Sequence, residues 1–184
     1  TLTMSGEGRF SNTYVLGLNN ASSKLLLNSI TVDRVSTSLA SLGLDVDDNS
    51  TVTSLTVAHT TPFSIASGKT LSGAITVTAG SIKLSETGTL GSTVSMSGGT
   101  LDADESLTLS GALTQSGNIT IDVADNKTLT YSGAALSLDN NTLTLSGEGR
   151  LSNTYVLGLN NASSKLLLNS ITVDRVSTSL ASLG

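Results

Sequence analysis

Acidic side chains gather at three places in this sequence: Asp45, Asp47 and Asp48 beside Asn49, then Asp102, Asp104 and Glu105, then Asp122 and Asp125 beside Asn126. Clustered carboxylates can do two kinds of chemistry. They can ligate a hard cation such as Ca²⁺, which takes six to eight oxygens. They can also flank a glycosidic bond as an acid and base pair. The context favours neither. Each cluster falls in a polar stretch where Asp and Asn close turns by bonding their own backbone, and the calcium-solenoid nonapeptide GGxGxDxUx is absent. Lys and Arg together number nine, too few to place a cation beside every acid pair. His59 is the only histidine, and with no Cys and no partnered Ser–Asp motif beside it, it reads as a solvated side chain. Glu7 and Arg9, which recur as Glu148 and Arg150, stand two residues apart on one strand face and read as a surface ion pair. No GxGxxG or P-loop occurs between a strand and a helix. The expectation is therefore no catalytic, cofactor-binding or metal-ligating residue, no cofactor, and no enzyme.

Two further patterns suggest binding. Thr pairs at Thr51/Thr53, Thr70/Ser72, Thr128/Thr130 and Thr142/Thr144 would form an outward hydroxyl column of the kind that can order ice, but Gly91 and Ser106 interrupt it. Asn20-Ala-Ser, Asn49-Ser-Thr, Asn118-Ile-Thr and Asn126-Lys-Thr match glycosylation sequons. A turn Asn followed by a strand Thr produces that match by itself, so it carries little weight.

What must position these residues is a repeat. Residues 142–184 restate residues 1–43 with two differences, Met4/Leu145 and Phe10/Leu151, both apolar for apolar. Fixed-period self-similarity marks solenoids and arrays. Residues 1–141 then form one full unit, 142–184 begin the next, and the chain is one continuous segment of a longer array. Inside the unit a shorter pattern recurs: apolar–x–apolar, a polar turn, then Thr–apolar–Thr. It reads LDVDDNSTVT at 44–53, FSIASGKTLS at 63–72, IKLSETGTLG at 82–91, LDADESLTLS at 101–110, IDVADNKTLT at 121–130 and LSLDNNTLTL at 136–145. The marks Asn20, Asn49, Gly68, Gly88, Glu105, Asn126, Asn141 and Asn161 lie 29, 19, 20, 17, 21, 15 and 20 residues apart. These spacings predict seven rungs per unit of about 20 residues each.

The alternation is strand-like, with Leu129 facing one side and Thr128 and Thr130 the other. SLTLSG at 106–111, ALTQSG at 112–117 and NITIDVADN at 118–126 predict three short strands per rung, each closed by a Gly or Asn that tolerates a left-handed corner. Val52, Leu71, Leu90, Leu107, Leu129 and Leu143 would then form one inward aliphatic ladder. The long first rung leaves about nine extra residues near 33–43, where Val35, Leu39 and Leu42 fall at helical spacing. A short helix from Asp33 to Gly43, or an extra strand pair, would absorb them. The fold class expected is all-β, a right-handed parallel β-helix. A β-sandwich array is the weaker alternative, since the rhythm and the lack of Trp count against it.

VADNKTLTYSG at 123–133 resembles the repeats of large bacterial surface proteins: autotransporter passengers, haemagglutinin-like exoproteins and related adhesins. The resemblance is one of composition and rhythm along the whole chain. It implies an exported, fibrous or adhesive role at the bacterial cell surface. Composition agrees in what it excludes. A net charge of −5 and a pI near 4.6 argue against a nucleic-acid partner, and no apolar run is long enough to span a membrane. The expected function is a structural segment of an extracellular fibre or adhesin stalk, partnered by neighbouring units or by copies joined end to end or side by side. The alternative is an adhesive module that binds a glycan or another surface. Only Phe10, Tyr14, Phe63, Tyr131 and Tyr155 could serve as aromatic platforms, so the stalk leads.

Overall fold

Thr, Val, Ile and Leu at period two favour strands, and the Gly, Asn and Asp between them favour corners. The described residues follow both preferences. A computed structural model describes residues 1–37, 41–159 and 161–178, with side chains through Val176, and among these every regular element is a β-strand. All strand pairs are parallel, between segments 19 to 24 residues apart, which makes the chain a β-solenoid.

The first face is a nine-stranded sheet of one strand per rung, from Leu2–Ser5 through Lys24–Asn28 and Gly43–Val46 to Thr142–Ser146 and Lys165–Leu168. A second, larger sheet covers the next two faces. In three rungs its strands, Thr31–Thr37, Ser50–Val57 and Thr70–Val77, run over the corner in one piece. Elsewhere the corner splits them, as in Thr89–Leu90 and Thr93–Met96, or Leu107–Leu109 and Leu113–Gln115. Near the C-terminal end a three-stranded sheet of Leu136–Ser137, Leu157–Leu159 and Val176–Thr178 takes over the third face. The three-strand rung expected from the sequence is thus present.

The core is a set of registered columns. Leu2, Leu25, Leu44, Phe63, Leu84, Ala103 and Val123 are successive partners on the first face. On the second, Leu71, Leu90, Leu109 and Tyr131 form one column, and Leu107, Leu129, Leu151 and Val173 form its neighbour. The expected ladder is therefore real but divided: Leu143 belongs to the first face, where it pairs with Ile119. All six of its named members are buried.

Three expectations need correction. The 29-residue rung does not exist. Asn20, Asn141 and Asn161 precede strands of the first face, whereas Asn49, Gly68, Gly88, Glu105 and Asn126 precede strands of the second. The intervals 20–49 and 126–141 run between different corners, one too long and one too short by the same cause. Seven steps still separate Thr1 from Thr142, because the first-face strands at 2–5 and 142–146 are seven apart in the sheet order.

The helix near 33–43 is absent from the part that is described. Thr31–Thr37 is a strand with Val35 buried, Leu42 is exposed, and Gly43 opens the next strand at φ +97°. Nor is there an extra strand pair in this part, since Thr31–Thr37 pairs in unbroken register with Ser50–Val57; Leu39 lies outside the described residues.

The corner glycines also work differently from expectation. Asn126 does take a left-handed φ of 59°. Gly111 and Gly117 do not; a Cβ on them would lie 1.8 Å from the Ser92 carbonyl oxygen and 2.1 Å from that of Ser97. There the rung beneath, and not the backbone angle, demands glycine.

Candidate functional site

A parallel stack presents outward side chains in rows about 4.8 Å apart, so a charged residue meets its neighbour on the next rung sooner than its neighbour in sequence. Every ion pair among the described residues joins adjacent rungs. Lys24 reaches Asp45 at 2.5 Å, Lys69 reaches Asp48 at 2.8 Å, and Lys127 reaches Glu105 at 2.6 Å. Lys83 lies between Asp102 (3.2 Å) and Asp104 (3.5 Å). Arg9 pairs with Asp33 at 2.7 Å, and its repeat Arg150 pairs with Asp174 at 2.8 Å. The surface pair expected within one strand, Glu7–Arg9 and Glu148–Arg150, is replaced by these contacts to the rung above. A carboxylate one rung away and two positions along is closer to the guanidinium than one on the same strand.

These contacts set the titration of the acids. Asp48 is held at about 2 by the Lys69 ammonium first, then by the Asn49 amide and the Ser29 hydroxyl. Asp33 is lowered by the Ser11 hydroxyl (2.8 Å) and by Arg9, and Asp174 by Ser152 (2.8 Å) and Arg150. Asp102 moves the other way: burial raises it despite Lys83. Asp45 holds Lys24 above its ordinary value, and Asp102 with Asp104 does so for Lys83. Of the third cluster, Asp122 accepts from the Ser146 hydroxyl and Asp125 from the Asn126 amide at 2.9 Å. Asp45, Asp48, Asp102, Asp104, Glu105 and Asp122 thus bond across to neighbouring rungs, and Asp125 bonds within its own turn. Among the described residues no group of three or more His, Asp or Glu could hold a metal ion. His59 is exposed.

The turn asparagines are bonded as well. Ser22 N–H donates to the Asn20 side chain (2.9 Å), Thr70 N–H to Asn49 (2.9 Å) and Thr142 N–H to Asn118 (2.8 Å). The latter two cross between rungs, so sequon and structural staple coincide. Sequence reasoning missed the strongest staple of this type. Asn12 accepts from Arg34 N–H (3.2 Å) and donates to Arg34 C=O (2.8 Å), so that its amide continues the ladder across a corner; Asn153 does the same with Arg175. The signal available was the duplication of Asn12 as Asn153 inside a run with no other turn residue.

The Thr column is rearranged rather than broken. Thr70, Thr89, Thr108 and Thr130 are successive partners, continued by Ser152, whereas Gly91 and Ser106 lie outside this register. Thr142 and Thr144 stand on a different face. Of the aromatics, Phe63 and Tyr131 are core; the Tyr131 hydroxyl donates to Ala134 C=O and accepts from Leu113 N–H (3.2 Å). Phe10, Tyr14 and Tyr155 are exposed. A hollow lined by Arg9, Asp33, Arg34, Thr53 and Ser54 lies where Ser50–Val57 bends over its corner. Its charges are engaged, Arg9 with Asp33 and Arg34 with Thr13 C=O at 3.1 Å. Among the described residues no helix is long and apolar enough to cross a membrane. No family model, no curated protein and no solved structure matches this chain.

Among the described residues, what remains exposed and apolar lies largely on the first and last rungs. Leu2 and Phe10 stand on the first rung, and Leu167, Leu168 and Val176 on the last. The candidate site is therefore the set of ion pairs and asparagine staples that join one rung to the next.

Proposed function

We propose that the chain is a structural segment of a large bacterial extracellular fibre or adhesin stalk, a rigid spacer whose units add along one axis. The observation that carries this reading is that apolar columns, ion pairs and corner amides all join one rung to the next. Core columns stack rung on rung, ion pairs cross between rungs, and asparagines staple the corners. Such a chain gains stability by length and keeps its surface chemistry for itself. Its partners are neighbouring units of its own kind, with no nucleic acid and no cofactor, and its place is the cell surface. This role calls for no catalysis.

Chains carrying one, two and three copies of residues 1–141 ahead of residues 142–184 provide the test. Their maximum dimension in solution scattering should grow by about 34 Å per added unit, seven rungs at ~4.8 Å. A globular increment would overturn the spacer reading. Antibody labelling of intact cells that express the parent protein should reach this segment, and signal only after lysis would overturn the surface location.

A second reading, adhesion through a solenoid face, is favoured by one observation. Tyr155 and Val156 are exposed although their rung is covered on both sides. Saturable glycan binding that Tyr155→Ala abolishes would establish it over the spacer.

A further inference from the structure

The hollow lined by Arg9, Asp33, Arg34, Thr53 and Ser54 has a volume of about 550 Å³ and spans three successive rungs. A β-bulge shapes it. Val52 pairs with Gly73 and Leu55 with Ile75, so Thr53 and Ser54 together oppose the single residue Ala74. The extra residue breaks the alternation of the strand, and Thr53 and Ser54 are both exposed, side by side. On the following rung Gly73 offers no side chain, since a Cβ there would lie 1.9 Å from the Val52 carbonyl oxygen. That side of the hollow is therefore low and open.

The opposite side is cationic. Asp33 accepts from Arg9 through Nε and Nη2 (both 2.7 Å), from the Ser11 hydroxyl (2.8 Å) and, at 3.5 Å, from Thr53. It is saturated and holds Arg9 in place. Arg34 donates from Nη1 to Thr13 C=O at 3.1 Å, and its backbone is fixed by Asn12, which bonds both its N–H and its C=O. A guanidinium carries five N–H donors in a planar fork, and these contacts use only some of them. Among the described residues, Arg34 Nε and Nη2, Arg9 Nη1 and the Ser54 hydroxyl have no protein partner. Two positive charges, Arg9 and Arg34, against the one negative charge of Asp33 leave the hollow net positive in a chain of net charge −5.

This exposure does not come from a place on the first rung. The repeat Arg150 has Thr128 directly beneath it, yet its side chain is 56% exposed where that of Arg9 is 61% exposed. Ser152 holds Asp174 as Ser11 holds Asp33, and Arg175 donates to Thr154 C=O at 3.0 Å. The cationic side is thus built twice, once with the preceding rung in place.

We propose that the hollow binds a singly charged oxyanion carried on a sugar ring, the carboxylate of a uronic acid or the sulfate of a sulfated sugar. The free Nε and Nη2 of Arg34 form the two-pronged edge that such a group accepts. Arg9 Nη1 adds a second donor, and the Thr53 and Ser54 hydroxyls match the hydroxyls of the ring. The volume falls in the usual range for a small-molecule site, roughly 300–1,000 Å³, and far exceeds a bare anion. One surplus positive charge fits one negative charge and disfavours a doubly charged phosphate monoester. The inference goes beyond the spacer reading, which assigns no ligand.

NMR titration of the whole chain tests it, with sodium glucuronate and a glucose sulfate as probes and acetate and glucose as controls. Either acidic sugar should shift the Arg34 side-chain N–H and the Ser54 amide saturably, and the tighter of the two identifies the anion. Arg34→Lys keeps the charge and loses the fork, so it should weaken that binding at least about 10-fold. Ser54→Ala, which leaves both arginines in place, should weaken it about 3-fold. Both variants should keep the strand signal in circular dichroism. Lys165→Gln removes one positive charge elsewhere and should leave the affinity unchanged. The site would be overturned by the absence of any saturable shift, or by acetate or glucose binding as tightly as the acidic sugars. Undiminished binding in both hollow variants, or an equal loss in Lys165→Gln, would overturn it as well. None of these outcomes bears on the spacer reading, which rests on length within one covalent chain.

Discussion

Residues 1–37 and 142–178 have almost the same sequence and opposite surroundings. In the first copy the strand Leu2–Ser5 begins the stack, so Leu2 is 45% exposed, while Leu25 beneath the third rung is fully buried. In the second copy Leu143, the repeat of Leu2, is fully buried, and it is Lys165–Leu168 that ends the stack, with Leu168 56% exposed where its repeat Leu27 is fully buried. The one bulky substitution follows the same rule: Phe10 is 43% exposed and Leu151 is 1% exposed. Burial here is a property of having a neighbour on each side. The sequence of a rung makes it able to stack and says nothing about whether it is covered.

Four measurements would break or sharpen that contrast. The largest effect is expected in the core. Leu25→Ala and Leu143→Ala should each cost about 2–5 kcal/mol in denaturant unfolding, as buried Leu truncations do, while Leu2→Ala and Leu166→Ala should each cost well under half as much. Equal costs within each repeat pair would mean that neighbours do not set burial.

The next effect concerns backbone approach. A Cβ on Gly149 would lie 2.4 Å from the Ala124 carbonyl oxygen, whereas one on its repeat Gly8 meets nothing within 4 Å. Gly149→Ala should destabilise by about 1–3 kcal/mol, the usual cost of overpacking, and Gly8→Ala should be close to neutral by thermal melting.

A smaller difference is expected for the lysines. Lys24→Ala removes the pair with Asp45, whereas Lys165, its repeat, has no described rung above it. The first should lower the melting temperature slightly and the second not at all, exposed pairs being weak.

The smallest effect serves as the control. Arg9–Asp33 and Arg150–Asp174 are each made with the next rung above, which is described for both copies, so both have them alike. NMR titration should place Asp33 and Asp174 both below the ordinary carboxylate value of 3.8. Because the folded state lowers them, their stabilisation is present above that value and lost as pH falls through the lowered ones. Asp48, at about 2, behaves the same way, and Asp102, raised by burial, opposes it. A normal Asp174 beside a lowered Asp33 would show that the last rung is not packed as the second one is.

Much of this was legible in advance from particular residues. LTL at 107–109 and TLT at 128–130 announce strands with leucine inward, and Leu107 and Leu129 are indeed direct partners. The seven-step unit was legible because two copies of one sequence must occupy equivalent places. What misled was the use of one residue type at two corners: Asn20 and Asn49 look alike and turn the chain between different faces. The candidate site was less visible still. Asp33 lies 24 residues from Arg9 and Arg34 lies 22 from Asn12, and no local spacing predicts which rung brings them together.

The sequence by itself determined that short strands alternate with turns at a period near twenty, that their inner faces are aliphatic, and that the pattern restarts at Thr142. Local propensity and side-chain alternation suffice for that. Only the tertiary structure decided which corner each Asn occupies, which acid each lysine meets, and which of two identical leucines is dry. Those depend on the offset between successive rungs, 19 residues in one place and 24 in another. They depend also on what lies above and below, which no residue carries in itself.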